Sequence, residues 1–155
     1  MRAVRYFEEF LAQGIAKKQA PDYSRAGFLA NESEKSFAFL KTIISDYGIT
    51  DDNANSVVRL CYDIFMEIMR AVMLKNGFNS SGQGAHEAEV SYMRNIGFGD
   101  SDIIFADQMR YFRNGIVYYG KVLDAEYAKK VYGFLEKVYP KLKKTADSKL
   151  NTAGK

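Results

Sequence analysis

Residues 57–73, VVRLCYDIFMEIMRAVM, contain the clearest pattern in the sequence. Apolar side chains recur there every three or four residues, which is the spacing of one continuous stripe along an α-helix. The charged side chains between them share the opposite side; they are Arg59, Asp63, Glu67 and Arg70. The stretch therefore predicts an amphipathic helix over about 52–75 that packs against other helices through a long apolar face.

The same spacing continues through most of the 155 residues, and an alternation of period two is never sustained. Proline, glycine and capping residues divide the chain into further helices predicted at 2–12, 22–46, 85–96, 101–119 and 124–144, with a connector over 76–84. We therefore predict an all-α fold, an antiparallel up-and-down helical bundle of five to six helices. Its length fits one domain over 1–145, followed by a flexible, lysine-containing C-terminal tail over 146–155.

The composition argues against several classes of protein. Hydrophobic residues make up 47% of the chain and charged residues 26%, as in globular proteins, and no apolar run is long enough to span a membrane. Glu8 and Glu9 interrupt the N-terminal segment where a signal peptide needs an apolar core, so a cytoplasmic protein is expected. One cysteine, Cys61, and one histidine, His86, are too few for a structural zinc site, and no metal or other cofactor is expected.

The helix predicted at 101–119 carries polar groups within RYFRNGIVYYG, residues 110–120. On a helical wheel its apolar side chains fall on one arc and its polar side chains gather on the other, with Arg113 on the shoulder between them. A guanidinium offers planar donors suited to phosphate or carboxylate, and amide and phenol groups add neutral hydrogen bonds. The sequence thus predicts a candidate phosphate-binding groove formed by Arg110, Arg113, Asn114, Tyr118 and Lys121.

The alternative is an ordinary polar helix face. Arg110 or Arg113 would then form an ion pair with Asp63 or Glu67 on the helix at 52–75 and close the bundle. Ion-paired faces far outnumber ligand sites on helices, so composition alone favours this second interpretation.

The string Arg113-Asn114-Gly-Ile-Val-Tyr118 resembles the Arg-Asn-x-x-x-His signature of the HEPN superfamily. The stretches at 86–98 and 127–142 also look like prokaryotic, especially archaeal, stand-alone members, and the resemblance covers roughly 22–144. It implies a HEPN-like helical bundle that forms a homodimer, in which arginine and histidine of both subunits build a metal-independent ribonuclease site in active members. Here Arg113 and Asn114 match the signature, whereas Tyr118 stands at the position of the histidine.

Three functional hypotheses follow. The favoured one is a degenerate, non-catalytic HEPN-like domain that binds a nucleotide, RNA or a protein partner at the Arg-Asn-x-x-x-Tyr groove, because a phenol is a poor general base at neutral pH. The second is a toxin-type, metal-independent endoribonuclease in which Arg113 acts with a substitute for the motif histidine, either Tyr118 or His86. The third is a ligand-free helical interaction module. Members of the superfamily often act beside a small nucleotidyltransferase as toxin and antitoxin, so such a protein is a candidate partner.

Overall fold

The computed structural model describes residues 3–148. As predicted, the architecture is an all-α bundle, with helices α1 (Phe7–Ala12), α2 (Tyr23–Tyr47), α3 (Ala54–Lys75), α4 (Ala85–Ser91), α5 (Asp100–Tyr119) and α6 (Ala125–Asp147). A 3-10 helix, Tyr92–Ile96, continues α4, and two short strands, β1 (Ala16–Lys18) and β2 (Phe78–Ser80), form a sheet. Most of the predicted tail, residues 149–155, lies outside the described residues.

Helix α3 is the centre of the bundle and packs against α2, α4, α5 and α6. Its predicted apolar stripe is buried, and Tyr62 and Met66 outside that stripe are buried as well, so other elements cover most of its circumference. Burial raises the pKa of the Cys61 thiol to about 12, which leaves it as an unreactive core group. The charged side of α3 stays partly open to solvent, as the sequence predicted, and it borders the candidate site.

Helices α2 and α6 cover α3 from two directions and also contact each other. The side chain of Asp22 caps α2, and the side chain of Asp124 caps α6 by accepting a hydrogen bond from the Tyr127 amide. Between the two helices, the Ser33 and Tyr139 hydroxyls form a buried hydrogen bond of 2.8 Å that fixes their register. None of the helices in the described part of the chain is long and apolar enough to cross a membrane.

The N-terminal helix is shorter than the prediction of 2–12. Helix α1 begins at Phe7, and the carbonyl oxygens of Val4 and Arg5 accept hydrogen bonds from the Arg94 guanidinium, at 2.7 and 2.9 Å. These carbonyl groups bind a distant side chain and are not part of a helical turn. A local sequence pattern cannot predict such a contact.

The antiparallel sheet was also missed by the sequence prediction. Strand β1 pairs with β2 in the register Ala16↔Ser80, and the connector predicted over 76–84 contains β2. Each strand has three residues, which is too short for an alternation of period two to be recognised. The sheet joins the segment after α1 to the segment before α4 and so fixes where α4 begins.

Candidate functional site

A cleft of about 480 Å³ lies along the partly open side of α3, and we refer to it as the α3 cleft. Four helices contribute its polar walls, through Ser36 of α2, Tyr62, Asp63, Glu67 and Arg70 of α3, His86 of α4 and Arg113 of α5. Two of the residues that the sequence singled out, His86 and Arg113, therefore lie in one cleft. Both acidic residues that were considered as arginine partners lie in it as well.

His86 is held at both ring nitrogens. Its Nδ1 atom lies 3.1 Å from the hydroxyl oxygen of Tyr62, and its Nε2 atom lies 3.3 Å from Nη2 of Arg70. A guanidinium only donates hydrogen bonds, so Nε2 is the acceptor and the proton of the neutral ring is on Nδ1. The Nδ1–H group therefore donates a hydrogen bond to the hydroxyl oxygen of Tyr62.

Burial lowers the pKa of His86, and nearby charges modify this effect. The Glu89 carboxylate raises the pKa, whereas the three guanidinium groups of Arg70, Arg113 and Arg110 lower it further. The imidazole is therefore neutral at neutral pH. Three guanidinium groups therefore act on one imidazole, and two of them, those of Arg70 and Arg110, are also paired with the carboxylates of Glu89 and Asp107.

Arg70 is oriented by a buried carboxylate. Its Nε atom donates a hydrogen bond of 3.0 Å to Oε2 of Glu89, and the same oxygen accepts a hydrogen bond of 3.0 Å from the Ser80 hydroxyl on β2. Glu89 is 4% exposed. The small sheet thus supports the site, because Ser80 holds Glu89, Glu89 holds Arg70, and Arg70 holds His86.

Arg113 has no carboxylate partner within residues 3–148. Its guanidinium carbon lies 5.3 Å from the centre of the Tyr62 ring, and Nη1 donates a hydrogen bond of 3.4 Å to Oδ1 of Asn114. Asp63 and Glu67 line the same cleft but form no ion pair with it. The described chain therefore lacks the ion pair that would have supported the ligand-free hypothesis, and most of the five guanidinium donors are available to a ligand.

Arg110 has a partner on its own helix. Its Nε atom donates a hydrogen bond of 2.8 Å to Oδ1 of Asp107, one turn earlier on α5, and the Asp107 side chain is almost completely buried. Neither Asp63 nor Glu67 pairs with Arg110 in the described chain. Since Arg110 does not line the α3 cleft, it acts there only through its charge.

Acidic residues occupy the other side of the cleft, near α2. Burial raises the pKa of Glu67, the charges of Glu32 on α2 and of Asp63 raise it as well, and Arg70 lowers it. The α3 cleft therefore has an acidic side and a basic side, with Arg70 acting on both.

The remaining residues of the predicted groove line a second cavity of about 500 Å³ at the C-terminal end of α5. We call it the tyrosine groove; its lining residues are Tyr111, Asn114, Gly115, Tyr118, Tyr119 and Lys121. The single groove predicted from the sequence is thus divided in two, with Arg113 in the α3 cleft and Asn114, Tyr118 and Lys121 in the tyrosine groove. Arg113 donates a hydrogen bond to Asn114, the next residue of α5, but the two cavities share no lining residue.

The comparisons with known proteins identify no relative. No protein-family model, curated protein or solved structure matches this chain. The chemistry of the two cavities is therefore interpreted from their own residues.

Sequence reasoning missed three residues that shape the basic side of the α3 cleft. Arg70 was placed on the polar side of α3 but not assigned to a site, and Tyr62 has the character of a core residue. Glu89 gave no signal, because a glutamate on a short helix is ordinarily a surface residue. Only the packing of α4 against α3 brings these side chains to His86.

Proposed function

We propose that the chain is a HEPN-like domain that binds the phosphate group of a nucleotide or of RNA in the α3 cleft without cleaving it. The supporting observation is the state of Arg113, which lines the cleft beside Arg70 and His86 and forms no ion pair in the described part of the chain. A guanidinium without a carboxylate partner, in the same cleft as a second guanidinium, is well suited to a phosphate oxygen.

The acidic side of the cleft favours a nucleotide over inorganic phosphate. Asp63 and Glu67 accept hydrogen bonds and repel a second anionic group, so they suit the hydroxyl groups of a ribose or the amino group of a base. A nucleotide carries both an anionic group and such donors, which matches a cleft with one basic and one acidic side.

A binding role agrees with the hydrogen bonds of His86. A general base needs a free lone pair, and in the neutral ring the lone pair is on Nε2, which accepts from Arg70. Proton transfer to His86 would also place a fourth positive charge next to three guanidinium groups. The occupied lone pair and the neighbouring guanidinium groups therefore favour binding of a phosphate group over cleavage of a phosphodiester bond.

Affinity measurements with the Arg113→Ala variant test this proposal. We expect the variant to bind a fluorescein-labelled single-stranded RNA and adenosine monophosphate about tenfold or more weakly, because a charge-assisted hydrogen bond is lost. The matched control is Lys130→Ala, an exposed cation on α6 that lines neither cavity, and its affinity should stay within about twofold of wild type. Equal losses in the two variants would mean that only the net charge attracts the ligand.

A second candidate function is metal-independent endoribonuclease activity. The observation that favours it is that His86 and Arg113 line the same cleft, so a histidine and an arginine are both present. Here Arg70 would have to release Nε2 before His86 could accept the proton of a ribose 2′-hydroxyl. Cleavage of RNA in the presence of a chelator, lost in both His86→Ala and Arg113→Ala, would establish this activity and overturn the non-catalytic proposal.

The quaternary structure and partner are proposed from the family resemblance. We propose a homodimer, checked by light scattering coupled to size-exclusion chromatography; a mass equal to one chain at micromolar concentration would contradict it. A small nucleotidyltransferase is the proposed protein partner, and co-purification after co-expression of the two proteins tests it.

A further inference from the structure

We propose that a second copy of this chain binds to the solvent-facing side of α2, with the two α2 helices antiparallel across a two-fold axis. The inference rests on the homodimer proposed above and names its interface. The interface is centred on Phe28, Glu32, Lys35 and Phe39, and we refer to these four residues as the outer face of α2. None of them lines the α3 cleft or the tyrosine groove, so the interface is distinct from both cavities.

Two phenylalanine rings of the outer face are exposed to solvent. The exposed fractions are 62% for Phe28 and 60% for Phe39, although phenylalanine is among the residues most often fully buried. Their separation of eleven positions is three helical turns, so the two rings lie within about 20° on one side of α2 and roughly 16 Å apart. Two such rings on one helix side form an apolar surface that favours a partner. The opposite side of α2 packs against α3 and α6 through Ala26, Ala30, Ser33, Phe37 and Leu40.

Two opposite charges lie between the rings. Glu32 follows Phe28 by four positions, and Lys35 precedes Phe39 by four positions, so the centre of the outer face lies between residues 33 and 34. The side chain of Glu32 is 39% exposed and that of Lys35 is 76% exposed, and they form an ion pair of 3.2 Å on the same helix. An exposed pair of this kind contributes little to the stability of one chain. Both charged groups are therefore accessible to a partner.

The order of these four residues makes the outer face complementary to itself. Across a two-fold axis at its centre, Phe28 of each copy lies opposite Phe39 of the other copy, and Glu32 lies opposite Lys35. A two-fold interface requires this property, because the same surface supplies both of its sides. Parallel α2 helices would place glutamate opposite glutamate and lysine opposite lysine, which is unfavourable. The charges thus select the antiparallel arrangement.

The charge balance of α2 favours a second copy over a highly charged partner. The helix carries three basic and three acidic residues, so two copies of it have no net repulsion. Antiparallel helices also bring the positive N-terminus of one beside the negative C-terminus of the other. A partner with charge of a single sign, such as a nucleic acid or an acidic protein, is repelled by one of the two central charges whichever sign it has.

Charge reversals test the antiparallel pairing. Glu32→Lys places lysine opposite lysine at both central contacts, and Lys35→Glu places glutamate opposite glutamate. We expect each variant alone to self-associate about tenfold or more weakly than wild type, measured by light scattering coupled to size-exclusion chromatography over a concentration series. In an equimolar mixture of the two variants, lysine lies opposite glutamate at both contacts, and the mass of a dimer should return. Both variants lack the internal ion pair, so its loss cannot explain the recovery.

The aromatic contacts are tested by Phe28→Ala. This variant should also self-associate about tenfold or more weakly, because the ring contributes to the dimer and, being exposed, little to the fold of one chain. The matched control for the charge reversals is Lys41→Glu. Lys41 lies on α2 as well, but beside Tyr139 and Pro140 of α6, and this variant should keep the wild-type dimer mass.

The possible results separate the interface from the homodimer itself. Wild-type self-association in Glu32→Lys, Lys35→Glu or Phe28→Ala, or a mixture of the two charge variants that stays monomeric, would overturn the inference and leave the homodimer in place. A loss of dimer in Lys41→Glu equal to that in Lys35→Glu would overturn it too, since only the net charge would then matter. A monomeric wild type would overturn both the inference and the homodimer. Phosphate binding in the α3 cleft is judged separately, by Arg113→Ala.

Discussion

The Nδ1 atom of His86 and the hydroxyl group of Tyr62 form a hydrogen bond of 3.1 Å at the base of the α3 cleft. Burial raises the pKa of Tyr62 well above its ordinary value, so the phenol keeps its proton throughout the physiological pH range. With Arg70 donating to the opposite ring nitrogen, the imidazole has one permitted arrangement: neutral, with its proton on Nδ1. This arrangement makes two predictions about the histidine.

The first prediction concerns the tautomer of His86. Because this is the only histidine of the chain, its ¹⁵N resonances need no assignment. We expect the Nδ1–H tautomer, whereas free histidine prefers the other form in solution. The Arg70→Leu variant removes the donor to Nε2 and should shift the population toward the Nε2–H form. A wild-type spectrum dominated by Nε2–H would contradict the hydrogen bonds of the cleft.

The second prediction concerns the pH dependence of stability. The folded state lowers the pKa of His86 below its ordinary value of 6.5, first through burial, so the unfolded chain binds a proton at higher pH than the folded chain does. The contribution of His86 to the free energy of unfolding is therefore fully present above pH 6.5, and it is lost as the pH falls through the pKa of the folded state. The His86→Gln variant should lose this slope, which cannot exceed about 1.4 kcal/mol per pH unit.

Urea unfolding at a series of pH values measures this difference between wild type and His86→Gln. The comparison is made above the range in which carboxylates titrate, so that Asp and Glu residues contribute little. Parallel curves for the two proteins between pH 6.5 and that range would show that the cleft does not disfavour the charged imidazole.

A third prediction concerns Lys75, the last residue of α3, which forms hydrogen bonds with the C-terminal end of α6. Its buried ammonium donates hydrogen bonds to the Thr145 carbonyl at 2.8 Å, to the Ser148 hydroxyl at 2.7 Å and to the Ser148 carbonyl. Burial lowers the pKa of this amine. The Lys75→Met variant keeps the length of the side chain but removes these three hydrogen bonds, and we expect a loss of about 1–3 kcal/mol in the free energy of unfolding.

Chemical denaturation measures the Lys75→Met effect, and Lys130→Met on the exposed side of α6 is its control. The control should change stability by less than about 0.5 kcal/mol. Hydrogen exchange adds a local measurement, because the amides in the last turns of α6 should lose protection in Lys75→Met alone. Equal stability of the two variants would mean that water replaces the three hydrogen bonds without cost.

The fold class was predictable because burial follows the local spacing of apolar residues. The stripe on α3 identified the central helix, and Gly48, with a φ of +71°, ends α2 where the sequence prediction ended it. Local spacing holds no information on contacts between distant segments. The Arg94 contacts with the N-terminal segment and the pairing of β1 with β2 join residues that are far apart in the chain, and both were missed.

The candidate site, too, was predicted only where the signal is local. Arg113 and Tyr118 were found because a short motif lies on one helix, and they were assigned to one groove although five residues separate them by about 140° around that helix, which is why they line different cavities. The position of His86 beside Arg113 depends on how α4 and α5 both pack against α3. That packing is supported by Glu89 and by Ser80 of a strand that the sequence did not reveal.

A last prediction tests the support from that sheet through two glycines of the same connector. Gly77 has a φ of +85°, and a Cβ atom there would lie 2.7 Å from the carbonyl oxygen of Gln19, next to β1. Gly82 has a similar φ of +77°, but its Cβ position has no neighbour within 4 Å. Alanine at either position incurs the left-handed backbone penalty of about 1 kcal/mol, and only at Gly77 does it also force the two segments apart.

We therefore expect Gly77→Ala to lower the free energy of unfolding by about 2–4 kcal/mol and Gly82→Ala by about 1 kcal/mol. Because the amide of Gln19 donates a 2.8 Å hydrogen bond to the Gly77 carbonyl, the displacement at Gly77 should reach β2 and, through Ser80 and Glu89, the Arg70–His86 contact. The ¹⁵N shifts of His86 should consequently change in Gly77→Ala and stay at their wild-type values in Gly82→Ala. Identical histidine spectra in both variants would mean that the sheet stabilises the bundle without holding the site.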